Sequence, residues 1–164
     1  VSEAFARKKG LSGTRMVASV VAGGRANRGD GPTVTARAAD LAYNQAGVGP
    51  NDISLAEVHD PTAPQELFDI EDIGLCERGQ AFDLLEKGDF SLGGRMPVNV
   101  SGGLVARGHP VGATGVAQIV EISEQLEGRA GKAQVRNARL GLAQMAGGLI
   151  GDDSAVATVH ILSK

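Results

Sequence analysis

Glycine constrains this chain more than any other residue. There are 24 glycines among 164 residues, about twice the roughly 7% usual share. They are clustered, with seven between Gly93 and Gly115 and four between Gly141 and Gly151. Glycine admits positive φ and close backbone approach, so such clusters mark tight turns or backbone that lines a site. A turn between strands explains any one of them. Two dense clusters in so short a chain point to a site as well.

The length suits one domain, residues 1–164, with a sizeable core. Charged residues make up 21% and hydrophobic residues 42%, a globular mixture. The 16 Lys and Arg against 19 Asp and Glu leave a net charge of −3, which argues against a nucleic-acid partner. Aromatic residues are only 3%, too few for a base-stacking platform. The single cysteine, Cys76, excludes an internal disulfide and a cysteine-cluster zinc site, and no metal is expected. No apolar run approaches the roughly 20 residues of a membrane span. The opening VSEAFARKKG lacks the apolar core of a signal peptide. The chain closes on Leu162-Ser163-Lys164, short of a complete Ser-Lys-Leu signal. A reducing, cytoplasmic setting is the expectation.

Hydrophobic periodicity divides the chain. A short helix is expected over Ser2–Lys9, stopped by Gly10, and a strand over Arg15–Ala22. Thr33 or Thr35 caps a helix to about Ala46, with Val34, Ala38, Leu41, Ala42 and Ala46 at apolar positions and Gly47 at its end. Ile53–Val58 reads as a strand covered on both faces. Thr62 and Gln65 form a capping box for a helix to about Ile73. Further elements are a helix over 78–87, a very short strand at Pro97–Val100 and a helix over 112–127. Strands at 134–145 and 154–162 follow, joined by a Gly/Asp-rich turn. The order implies an α/β layered fold with a mixed sheet, helices on both faces and a final antiparallel hairpin.

Three places carry candidate chemistry. His59-Asp60 follows a buried-type strand, where ligands of α/β sheets gather; a lone histidine there serves equally well as a packing residue. Asn99-Val100-Ser101-Gly102-Gly103 and Gly108-His109-Pro110 lead into a helix, whose N-terminus favours negative charge. The plain alternative is a Gly-rich entry to a packed helix. Gly147-Gly148, read as a pair just after a strand, can offer backbone N–H groups to an oxyanion, or make a hairpin turn with Gly151-Asp152-Asp153. Cys76, just before an expected helix, has no local base, which suits a structural thiol better than a nucleophile.

The stretch VNVSGGLVARGHPVGATG, residues 98–115, resembles the signature of the thiolase superfamily. Glu57-Val58-His59-Asp60, Gly74-Leu75-Cys76-Glu77-Arg78-Gly79 and the ending GLAQMAGGLIGDDSAVATVHIL resemble its sterol-carrier-type branch. The resemblance covers essentially the whole chain, yet only the C-terminal half of such an enzyme. It implies a thiolase-like half-fold and an acyltransferase acting on acyl-CoA, with coenzyme A as substrate and no bound cofactor.

Carried over residue by residue, His109 matches the base that activates the nucleophilic cysteine and helps bind the thioester oxygen. His59 matches its oxyanion-hole partner, and Gly148 the glycine whose N–H forms a second hole. Ser101, Gly102, Gly103 and Gly108 fall in the substrate-binding signature. The implied partners are an N-terminal half carrying the nucleophilic cysteine, a second copy in a homodimer of the complete enzyme and, as in some members, a small OB-fold protein. The acid/base cysteine of the family is missing. Its two customary positions are Ala146 and Pro61 here. Retro-aldolases of the same branch, or a non-catalytic scaffold half, are the alternatives.

Overall fold

Residues Arg15–Gly23 (β1), Leu55–Glu57 (β2), Leu140–Ile150 (β3) and Asp153–Ser163 (β4) form one sheet in the order β1-β4-β3-β2. This is a computed structural model that describes residues 1–164. β4 pairs antiparallel with both β1 and β3, while β2 joins β3 in parallel with Glu57 opposite Ala143. The sheet is therefore mixed and closes on an antiparallel hairpin, as the sequence implied.

Six helices surround it: α1 (Glu3–Lys9), α2 (Val34–Ala46), α3 (Ala63–Asp72), α4 (Ala81–Glu86), α5 (Gly103–Arg107) and α6 (Thr114–Glu127). Strand alternation sends successive side chains to opposite faces. Leu142, Ala157, Val159 and Ile161 share a core of 21 buried residues with Ala38, Ala39 and Ala42 of α2. Their neighbours Ala143 and Leu162 belong to a second core, with Ile122 and Leu126 of α6. Two faces, each with its own helix, make a layered half-fold. Gly141 belongs to this second contact, because a Cβ there would overlap the Ile122 side chain. No helix is long and apolar enough to cross a membrane.

α2 shows how local signals serve the packing. Thr33 is the cap, its hydroxyl accepting from the Ala36 N–H at 3.1 Å. Asp153, distant in sequence, accepts from the Val34 N–H at 3.0 Å. The buried stripe is Val34, Thr35, Ala38, Ala39, Ala42 and Tyr43. Small residues let the helix lie close to β1 and β4. Leu41, expected on that stripe, is instead 54% exposed.

Several boundaries differ from the sequence reading. The strand expected over 134–145 is β3, at 140–150. Residues 131–133 form a 3-10 turn, and the Gln125 side chain claims the Val135 N–H at 2.8 Å. Apolar Val135 thus packs beside α6 from a turn, not a strand. Gly147-Gly148 lie inside β3, because the hairpin reverses at Gly151-Asp152. Thr62 starts α3 without donating or accepting a side-chain cap bond, since Gln65 turns to Asp69. The 97–100 strand reduces to one parallel bridge between Val98 and Ala56. α4 begins at Ala81 and α6 at Thr114, later than expected. α5 was not expected at all. Its five residues form because a distant carboxylate satisfies its first N–H groups.

Candidate functional site

That carboxylate is Asp60, which is 2% exposed. It accepts from the Leu104 N–H at 2.7 Å and the Val105 N–H at 3.3 Å, neutralising groups that a helix start leaves unpaired. Gly103, at φ +61°, lies against it, and any Cβ there would overlap the carboxylate. The two residues before Asp60 are tethered as well. The Val58 N–H donates to Asn99 Oδ1 at 2.8 Å and the His59 N–H to Gln144 Oε1 at 2.9 Å. The segment leaving β2 is therefore pinned residue by residue.

His109 stands on the exposed loop between α5 and α6. Its Nδ1 lies 2.9 Å from the Thr114 hydroxyl oxygen. That hydroxyl donates to the Pro110 carbonyl at 3.2 Å, so its oxygen is left to accept from Nδ1–H. Neutral His109 therefore keeps its lone pair on Nε2. Nε2 faces Nε2 of His59 at 3.5 Å, with ring centroids 5.2 Å apart and planes inclined by 58°. The fold brings the two histidines together across 50 positions. Burial, then the proximity of His109, lowers the His59 pKa, with Asp60 opposing. Both causes favour the uncharged imidazole of His59.

Gly148 lies on β3, which runs parallel to β2, and so beyond the same end of the sheet as His59. It is exposed, with φ +67°. Gly102 and Gly108 are exposed too. Ser101 is turned inward: its hydroxyl donates to Glu57 Oε2 at 2.5 Å and accepts from the Gly103 N–H at 3.2 Å. Glu57 is wholly buried. Desolvation pushes its pKa up to about 7, against the Ser101 bonds and Arg107. The sequence reading passed over Asp69 and Gln144, and took Glu57 only as part of the motif Glu57-Val58-His59-Asp60, with no role of its own. Their signal was a polar residue inside an apolar element.

Residues 26–164 match the thiolase C-terminal domain-like family. The chain belongs to that family. This thiolase C-terminal domain is 45% identical over 130 residues to the acetyl-CoA acetyltransferase of Methanothermobacter thermautotrophicus, covering 79% of the chain and 33% of that protein. Rat (Rattus norvegicus) sterol carrier protein 2 is 44% identical over 112 residues, 68% of the chain and 20% of that protein. Benzoylsuccinyl-CoA thiolase subunit BbsB of Thauera aromatica is 33% identical over 153 residues, 90% of the chain and 40% of the subunit. The chain thus spans between a fifth and two fifths of these relatives. Among solved structures, the Ltp2-ChsH2(DUF35) aldolase shares the fold. Its TM-score is 0.77 at 23% identity, covering 96% of the chain and 41% of the aldolase chain.

The thiolase C-terminal domain holds one sulfhydryl, and it is not at this site. Cys76 follows α3, half-buried against the core of the α2 face. Burial and then Glu71 raise its pKa, which makes it a poor nucleophile at neutral pH. Pro61 follows His59-Asp60, and Ala146 precedes Gly147-Gly148.

Proposed function

We propose that this domain is the C-terminal catalytic half of a thiolase-like acyltransferase that acts on CoA thioesters. The observation that carries the reading is the His59–His109 pair, with its Nε2 atoms 3.5 Å apart and His109 Nδ1 held by Thr114. In the thiolytic direction, His109 Nε2 takes the proton of a cysteine thiol supplied by the N-terminal half. The thiolate adds to the 3-keto carbonyl and the Cα–Cβ bond breaks. The acyl group stays on sulfur and the electron pair passes to the shorter thioester as an enolate. Its oxygen accepts from His59 Nε2–H and from the Nε2–H of protonated His109. Donors aimed at charge that develops in the transition state accelerate such a step. The proton that His109 took from the cysteine then passes to Cα. Free coenzyme A takes the acyl group from the cysteine, and the coenzyme A thiol proton goes to the released cysteine sulfur.

A second reading has its own support. Pro61 and Ala146 stand where the family places its proton-transfer cysteine. A retro-aldolase cleaves a 3-hydroxyacyl-CoA to a carbonyl compound and the same enolate, and it uses no covalent cysteine. The test is to join the chain to a cysteine-bearing N-terminal half and assay both 3-ketoacyl-CoA and 3-hydroxyacyl-CoA. Removing His109 as His109→Ala should cost about 10²–10³-fold in kcat on the true substrate. Unchanged rates on both would overturn the enzyme reading in favour of a scaffold.

A further inference from the structure

Beneath the histidine pair lies a cluster of polar side chains that apolar packing alone would not require. Asp69 of α3 is 1% exposed and has no cation within ion-pairing distance. Its Oδ2 accepts from Gln65 Nε2 at 3.1 Å, and its Oδ1 from the Thr35 hydroxyl and from Gln144 Nε2, each at 3.3 Å. Gln144, in the middle of β3, is fully buried. Burying an uncompensated carboxyl is costly, and desolvation has pushed the Asp69 pKa up to about 7. Such a group is retained where its hydrogen bonds set a geometry.

We propose that Asp69 and Gln144 are positioning residues that set the spacing of His59 and His109. A carboxamide has a donor end and an acceptor end. Asp69 and Thr35 take the donor end of Gln144 at Nε2, so Oε1 faces the His59 N–H at 2.9 Å. A flipped amide would set N–H against N–H there. The main chain of the same residue reaches the other histidine. β2 ends at Glu57, and Gln118 Nε2 donates to the Gln144 carbonyl at 3.1 Å. Gln118 lies one turn beyond Thr114 on α6, and Thr114 holds His109. One residue is thus bonded through its side chain to the segment bearing His59 and through its backbone to the helix that anchors His109. Ties of this kind keep donors on target, and a displacement of about 1 Å in such a site costs about 10²-fold in rate.

The inference rests on the oxyanion reading for its kinetic consequence, but not for its structural one. In the 164-residue chain, NMR reads the His59 amide and the ring protons of both histidines. Gln144→Leu and Asp69→Leu should speed His59 amide exchange at least ~10-fold, the equivalent of losing about one hydrogen bond, and weaken the ring-to-ring contact. Asp69→Asn keeps an acceptor for Gln144 Nε2 and should preserve both signals. In the enzyme completed by its cysteine-bearing half, the two Leu variants should lower kcat by on the order of 10²-fold with KM little changed. Asp69→Asn should stay within a few-fold of the parent. If Asp69→Leu fails to fold, Thr35→Val and Gln144→Leu read the same linkage. Unaltered His59 signals in folded Gln144→Leu would overturn the proposal, as would equal losses of kcat in Asp69→Asn and Asp69→Leu. An unchanged kcat in His59→Ala would instead overturn the enzyme reading, and the NMR result would still decide the linkage.

Discussion

The Asp60 carboxylate sits under the first turn of α5, 2.7 Å from the Leu104 N–H. It thereby ties the strand end that carries His59 to the loop that leads to His109. Asp60→Ala should destabilise the chain by about 0.5–2 kcal/mol, the range for losing a helix cap. Gly103→Ala should cost at least about 1–3 kcal/mol, because alanine must hold φ +61° and displace that carboxylate. Urea unfolding of the two variants checks both values.

Thr114 gives a prediction about the tautomer. Thr114→Val removes the acceptor for His109 Nδ1–H, so the proton is free to move to Nε2, where the proposed base role requires a lone pair. In the completed enzyme the expected loss of kcat is about 10–100-fold, by analogy with partners that orient metal-bound histidines. Thr114→Ser should recover most of it. Steady-state kinetics, with histidine nitrogen shifts as the tautomer readout, decide the matter.

The pH dependence of stability has a definite sign. Glu57 and Asp69 have folded pKa values of about 7, above the ordinary 4.5 and 3.8. Groups raised in this way stabilise the fold at low pH, and that contribution is lost as pH rises through 7. His59 and His160 act in the opposite direction: both are lowered by burial, so their contribution is lost as pH falls below 6.5. Glu57→Gln should therefore flatten the fall in stability between pH 5 and pH 8, measured by urea midpoints. A parent and variant with the same slope would remove Glu57 from the account.

The isolated chain should show no thiolysis of acetoacetyl-CoA. Its one thiol lies away from the histidine pair and has a raised pKa. Alkylating Cys76 should change nothing. Turnover abolished by that alkylation would place the nucleophile here after all.

Val116 and Val120 lie one turn apart on α6, 65% and 51% exposed, with Val111 at 79% on the preceding loop. An apolar stripe of this kind on a family half-domain should drive self-association, or co-purification with a cysteine-bearing half. Light scattering should show a species larger than 16.8 kDa. The Val116→Glu, Val120→Lys double variant should shift it toward the monomer.

Much of this arrangement was legible in the sequence. The capping threonine and closing glycine of α2, and the alternation of β1 and β4, are local signals, and they placed those elements within a residue or two. The Gly-His-Pro motif pointed to His109. The signal failed where side chains distant in sequence decide local structure. α5 needs Asp60, 44 positions away, to cap it. Residues 134–139 look strand-like until Gln125 claims the Val135 N–H. Gln144 and Asp69 could be seen only as polar residues in apolar surroundings. Their partners come from three separate elements, and no spacing rule links them.

The place of β4 between β1 and β3 has a consequence for how the chain acquires its shape. Ser19 meets His160 across 141 positions, so β1 leaves the ribosome long before its only partner strand exists. Loops of that length close slowly, and an unpaired strand edge invites the wrong neighbour in the meantime. Met16 and Val21 of β1 are 51% and 70% exposed even in the finished sheet. Pairing of β1 with β4 should therefore be slow and come late in synthesis, which refolding kinetics of the chain would read. A chaperone that shields the region around β1 should raise the yield of folded protein more than one that acts on the helices.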